Sequence, residues 1–290
     1  MNNSKVFILM AGLTALFGGV GAYFGGQSGL VMALLFAAGT NFFMYYASST
    51  MVLKMYRAKV VTAAEAPQLY AMVDRLRQRA GLPMPVVAIA PHEQPNAFAT
   101  GRNPENSVVC VTDGLMNLVS EDELEGVIAH ELAHIKNYDI LVGTVAVVAV
   151  GVIALMADIG LRFMWFGGGR GRRDRSGGGN LGILLVILAF ALLILAPFVA
   201  QLMQFAMSRK RELLADASGV QLTRYPPGLV SALEKLKADQ AVVHSATRAT
   251  AQLWIESPLD RDQQHKRTWL NRAFDTHPPL DERIRILKEM

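Results

Sequence analysis

One cysteine in 290 residues cannot form an internal disulfide, so no covalent staple supports this fold. Cys110 lies in the apolar run Val108–Thr112 and reads as a small buried hydrophobe. Charge is also scarce. Asp, Glu, Lys and Arg make up 18% of the chain, against about a quarter in an ordinary soluble domain. None of them occurs from Val6 to Leu53. Basic residues concentrate in one glycine-rich stretch with Arg162, Arg170, Arg172, Arg173 and Arg175. Arg170 to Arg175 carries no interleaved aromatic ring, which argues against nucleic acid as a partner and for a flexible polar linker. No internal repeat is present.

What is abundant is apolar sequence, at 52% of residues. The uncharged run is long enough for two membrane spans, expected at 6–24 and 30–53 and joined by Gly25-Gly26-Gln27-Ser28-Gly29. A cleaved signal peptide is the competing reading of Val6–Tyr23. The second apolar segment follows at once and no small-x-small cleavage site separates the two, which favours a retained hairpin over 1–53. Ile140–Ala157 and Leu181–Met207 are a third and a fourth uncharged stretch. At about 1.5 Å per residue the third only just spans the hydrocarbon, so it also reads as a buried or partly inserted helix.

The chemistry concentrates in His130-Glu131-Leu132-Ala133-His134. Histidines at i and i+4 stack on one helix face and can reach a common ion, while the intervening glutamate is placed to take a proton from a bound water. Apolar Leu124, Val127, Ile128, Leu132 and Ile135 give this helix a face to bury, which argues against a solvated surface helix. Ser120-Glu121-Asp122-Glu123 fits a capping box at its start. Two histidines leave a catalytic zinc short of one protein ligand. His92, His244, His265 and His277 do not follow at a spacing that completes the set. Glu212 and Asp216, in Ser208-Arg209-Lys210-Arg211-Glu212-Leu213-Leu214-Ala215-Asp216, share a helix face and offer a third ligand and a partner for a ligating imidazole. On spacing alone, such an Arg/Lys cluster followed by two acids is more often a solvated face with ion pairs.

His-Glu-x-x-His followed by Ser-Arg-x-x-Glu-x-x-Ala-Asp resembles the HtpX family of bacterial membrane zinc metalloproteases, which are related to the CAAX prenyl endopeptidases. Asn96-Ala97-Phe98-Ala99 resembles the family's strand motif, and Thr112-Asp113-Gly114-Leu115 its segment between strand and helix. Thr276-His277-Pro278-Pro279-Leu280-Asp281-Glu282-Arg283-Ile284 resembles its carboxy-terminal signature. The Gly/Arg-rich loop around Gly167–Gly179 departs mildly from the pattern. The resemblance implies one zinc ion per chain, held by His130, His134 and Glu212, with Glu131 as base and Asp216 behind a ligand. It implies a quality-control role against damaged or misassembled membrane proteins under envelope stress. It also makes His277 a candidate transition-state stabiliser, although a Pro-Pro turn that starts the last helix explains that histidine equally well.

A shared ion requires that the chain return to its starting side between His134 and Glu212. The stretches at 140–157 and 181–207 therefore both cross or both fail to cross. Lys5, Lys54, Arg57 and Lys59 flank the first hairpin and place both ends and the site in the cytoplasm. The arginines at 162–180 oppose this, because they would have to cross. The expected organisation is a hairpin at 1–53, a first protease segment at 54–139, a second membrane hairpin at 140–207 and a second protease segment at 208–290. Within the protease, a helix is expected over Glu65–Ala80, strands over Val86–Ala90, Asn96–Thr100 and Val108–Thr112, and helices over Pro227–Lys237 and from Leu280.

The fold class is therefore α+β and mostly helical: a multi-pass α-helical anchor in the bacterial inner membrane carrying a cytoplasmic zincin-like domain. Its expected partners are polypeptide substrates and lipid, and nothing in the sequence points to an oligomeric state. Asn96–Ala99 reads as an edge strand that accepts an extended peptide, or as an ordinary core strand with Phe98 buried. Two other classes, a scaffold or holdase with structural zinc and a small transporter, fit less well. Glu131 and an open ligand position have no role in the first, and the spans lack the embedded charges of the second.

Overall fold

The structure is a computed structural model and describes residues 2–145, 209–239 and 279–290. Its first element, α1 (Asn2–Met55), is two helices folded back on each other at Gly26, where φ is 56° and ψ is −142°. Glycine tolerates this positive φ, whereas a Cβ would strain it. Asn41 Nδ2 donates to Thr14 Oγ1 at 2.8 Å across the two arms. Phe17 meets Phe36 edge-on, with ring centroids 5.3 Å apart. Val6–Tyr23 and Gly25–Met55 are each long and apolar enough to cross a membrane. Their outer faces expose Phe7, Ile8, Met32, Leu35 and Phe42, an apolar surface far larger than a soluble protein leaves in water.

These are the two candidate spans among the described residues. The third expected stretch is described only as helical residues 140–145, which pack Leu141, Val142 and Val145 against Val6 of α1. The fourth stretch, the Gly/Arg-rich loop and His277 lie outside the described residues.

After α1 the chain forms β1 (Lys59–Val60), α2 (Pro67–Ala80), β2 (Val86–Ala90), β3 (Ala97–Gly101) and β4 (Ser107–Thr112). The helix and the three longer strands fall where the apolar spacing puts them. The pairing of β1 is only two residues long, too short for any alternation to show. The sheet order is β1-β2-β4-β3, with β2 and β4 parallel and the other pairs antiparallel, so β3 is an edge. A short helix, α3 (Asp113–Leu118), leads to α4 (Glu121–Lys136). The Thr112 hydroxyl caps α3 by accepting from the Leu115 N–H at 3.2 Å.

Three further helices are described: α5 (Arg209–Thr223), α6 (Pro226–Ala238) and α7 (Leu280–Lys288). One apolar core joins Leu76 of α2, Val109 of β4, Ile128 and Leu132 of α4, Leu233 of α6 and Leu287 of α7, all almost fully buried. Residues before and after the 140–208 stretch thus build a single core around α4.

Candidate metal centre

Helix α4 is held in place from its first turn. The Ser120 N–H donates to Glu123 Oε2 at 2.6 Å and completes the expected capping box. The same carboxylate accepts from Lys235 Nζ at 2.7 Å and from the Ser231 hydroxyl, which fastens α4 to α6. Burial would raise the Glu123 carboxyl, but the Lys235, Ser231 and Ser120 donors outweigh it and hold it at about 2. From Gly126 to Ile135 every residue of α4 is buried, so its histidines face protein and not solvent. Helix α5 crosses close by: a Cβ at Gly219 would sit 3.0 Å from the backbone nitrogen of His130. Glycine there lets α5 carry its acids to the histidines.

His130, His134 and Glu212 converge, with one ligand atom from each lying within 4.8 Å of the others. His130 Nε2 and His134 Nε2 are 3.1 Å apart. Glu212 Oε1 is 3.4 Å from His134 Nε2, and its Oε2 is 3.7 Å from His130 Nε2. A tetrahedral ion with bonds near 2.0–2.1 Å separates its ligand atoms by about 3.3 Å, so the spacing fits.

The far side of each imidazole meets an aspartate. His130 Nδ1 is 2.8 Å from Asp216 Oδ1, as the i+4 relation of Glu212 and Asp216 suggests. His134 Nδ1 is 3.1 Å from Oδ2 of Asp139, a residue that the motif reading passes over. Each aspartate in turn meets an arginine. Arg283 is fully buried and grips Asp216 with two bonds, Nε to Oδ2 at 2.9 Å and Nη2 to Oδ1 at 2.6 Å. Arg211 Nη1 donates to Asp139 Oδ1. Carboxylates at both Nδ1 positions favour Nδ1–H on each ring, the tautomer in which Nε2 is the nitrogen that a metal would take.

Glu131, Asp139, Glu212 and Asp216 bring four buried carboxyl groups to this centre, with Arg211 on Asp139 and Arg283 on Asp216. Burial would lower the pKa of His134 in the metal-free protein, but the carboxylates of Glu212, Asp139 and Glu131 raise it to about 9. Burial also opposes ionisation of Asp216, yet Arg283 and His130 hold its carboxyl well below the usual carboxylate range.

Glu131 sits beside this cluster, 6% exposed, and its Oε2 accepts the backbone N–H of Ala99 on β3 at 2.8 Å. The register explains why. Thr112 N–H donates to Asn96 O, so Asn96, Phe98 and Thr100 turn their backbone groups toward β4, and Ala97, Ala99 and Gly101 turn theirs outward. The Gly101 N–H is also engaged, by the Thr144 hydroxyl at 3.2 Å. The edge strand expected to stand open is therefore buried along its length, with two outward donors held by side chains. Phe98 packs its ring on Tyr56, with centroids 4.7 Å apart, and Asn96 is fully buried.

Asp139, Arg211 and Arg283 escaped the sequence reading. Asp139 is the last charge before a long uncharged run, and both arginines lie in segments already notable for their acids and prolines.

A buried His-His-Glu cluster with a neighbouring glutamate at a sheet edge, attached to an apolar helical hairpin, defines a membrane metallopeptidase. The chain belongs to peptidase family M48, whose family model matches residues 63–290. It is 50% identical to a protease HtpX homolog of Gemmatimonas aurantiaca over 100% of this chain and 99% of that one. A protease HtpX homolog of Desulforapulum autotrophicum is 45% identical over 99% of this chain and 89% of its own. The fold is similar to that in the crystal structure of S. mikatae Ste24p, with a TM-score of 0.52 and 17% identity. That match covers 98% of this chain, which spans 64% of the length of Ste24p.

Proposed function

We propose that this protein is a zinc-dependent endopeptidase of a bacterial inner membrane that cleaves unfolded or misassembled membrane proteins as part of stress-linked quality control. The observation that carries this reading is the place of Glu131, adjacent to His130 on α4, where its charge acts on His134 and its carboxylate accepts from the backbone of β3. Zinc held by those three residues would supply Lewis acidity, lowering the pKa of a bound water towards about 7. Glu131 would accept a proton from the water whose oxygen adds to the scissile carbonyl carbon, and would return it to the amine nitrogen as the C–N bond breaks. Asp216 and Asp139 keep both imidazoles in the ligating tautomer. His277, outside the described residues, is proposed as the oxyanion donor.

An extended peptide would pair with the outward side of Asn96–Ala99, its carbonyl competing with Glu131 for the Ala99 N–H. Recognition by backbone favours unfolded segments over any particular side chain. The proposed organisation has membrane hairpins at 1–53 and 140–207 and one cytoplasmic protease domain built from 54–139 and 208–290. The test is to purify the protein in detergent with zinc, add casein, and compare wild type with Glu131→Gln. Glu131→Gln should retain zinc and lose cleavage by orders of magnitude. Equal turnover by the two would end the mechanism.

A further inference from the structure

We infer that Asp139 and Arg211 form a positioning pair for His134, through which metal affinity depends on the junction of the two chain ends that border residues 140–208. This rests on the zinc reading above. Asp139 and Arg211 are 72 residues apart in sequence, one just before the uncharged stretch that starts at Ile140 and one just after the chain returns. Both act on the metal centre from these borders. Asp139 is 3% exposed and aims one carboxylate oxygen at His134 Nδ1 and the other at Arg211 Nη1. Arg211 immediately precedes Glu212, so consecutive residues of α5 supply one metal ligand and the partner of another ligand's aspartate.

The end of α4 is shaped to deliver Asp139 to this place. The Asp139 N–H donates to the His134 carbonyl at 2.9 Å, and Tyr138 N–H to the Ile135 carbonyl at 3.1 Å. This closing turn is usually made with glycine at the left-handed position. Here Tyr138 occupies it, with φ at 58°. The strained turn brings Asp139 back under the helix, against the ring of the second histidine.

The two histidines are therefore backed by the same chain of groups from different sources. Behind His130 stand Asp216 of α5 and Arg283 of α7, both within the carboxy-terminal segments. Behind His134 stand the two borders of the 140–208 stretch. The His134 half of the centre is complete only when those borders meet. A simple staple would behave differently, since its loss would lower stability and leave zinc affinity intact in the molecules that fold.

The experiment uses the full chain in detergent micelles. Zinc affinity is measured by competition with a chromophoric chelator, ligand geometry by the visible spectrum of the cobalt-loaded protein, and stability by melting of the metal-free protein. Asp139→Asn and Arg211→Gln should each weaken zinc about 10–100-fold. The double variant should be no weaker than the worse single one, because Arg211 acts through Asp139. The cobalt spectrum of Asp139→Asn should shift, and Arg211→Lys should restore most of the affinity. If Asp139→Asn does not fold, Arg211→Gln and Arg211→Lys carry the same loss and rescue. Lowered melting with unchanged zinc affinity and spectrum would overturn the inference, and so would additive losses in the double variant. A wild-type protein that binds no zinc would instead overturn the functional reading on which the inference rests.

Discussion

The backbone N–H of Ala99 donates to Glu131 Oε2 at 2.8 Å, so the edge strand and the proposed base are in direct contact. The strand fixes the carboxylate through the same donor for which the proposed extended peptide would compete. Ala99→Pro removes that donor without breaking the ladder to β4, because the Ala99 N–H points away from it. A backbone bond to a charged acceptor contributes about 1.5–3 kcal/mol, so kcat/KM on casein should fall roughly ten- to hundredfold while zinc content stays full. Ala97→Pro removes an outward donor from the same side and should be milder. Wild-type cleavage by both folded variants would remove β3 from the substrate path.

Glu212→Ala deletes a proposed ligand and should lower zinc content itself, read by metal analysis after gel filtration. Full, tight zinc in that variant would place the third ligand elsewhere.

Asp216→Ala should cost about 10–100-fold in zinc affinity. It also removes the two-bond partner of the fully buried Arg283 guanidinium, which keeps only the longer approach to Glu212 at 3.9 Å. Losing one partner of a buried pair costs about 3–5 kcal/mol, so melting of the metal-free protein should fall sharply. Asp216→Asn keeps one acceptor and should fall less. Equal melting of wild type and Asp216→Ala would show that the pair contributes nothing.

The pH dependence follows from His134, raised to about 9 from an ordinary value of 6.5 in the metal-free protein. A raised imidazole stabilises the metal-free fold fully below pH 6.5 and loses that contribution as pH rises through 9. Zinc needs the neutral ring and displaces its proton. Zinc affinity should therefore rise about tenfold per pH unit up to about pH 9 and flatten above it. Chelator competition between pH 7 and 10 checks this, and a flat profile below pH 9 would contradict it.

Topology can be read chemically. If 140–157 and 181–207 both span, a cysteine introduced as Ser176→Cys should react with an impermeant maleimide on intact cells. Cys110 will not interfere, since it is fully buried and burial pushes its thiol up to about 12. Labelling only after permeabilisation would favour a hairpin that does not cross.

Much of this protein was legible locally. The spans of α1 follow from the absence of charge between Lys5 and Lys54, and the turn from glycines that accept a positive φ. The capping box of α4 follows from the Ser120 and Glu123 residue types, and the shared faces of His130 with His134 and of Glu212 with Asp216 from helical periodicity. Each is a statement about residues within one or two turns of one another, where backbone geometry decides what can meet.

What the tertiary structure decided involves groups that are far apart in the chain. The motif singles out Glu131 as a candidate base, but only the antiparallel register of β3 on β4 turns Ala99 outward to meet it. Asp139 and Arg211 are 72 residues apart, and Asp216 and Arg283 are 67 apart. No periodicity links such positions. They are brought together by the burial of α2, α4, α6 and α7 in one core, with α5 laid across α4 where Gly219 permits close approach. Sequence determined which groups could hold and use a metal, because that depends on residue chemistry and helical spacing. Packing alone decided which charges neutralise and orient them, because only a water-excluding core makes an unpaired carboxylate too costly to leave without a partner.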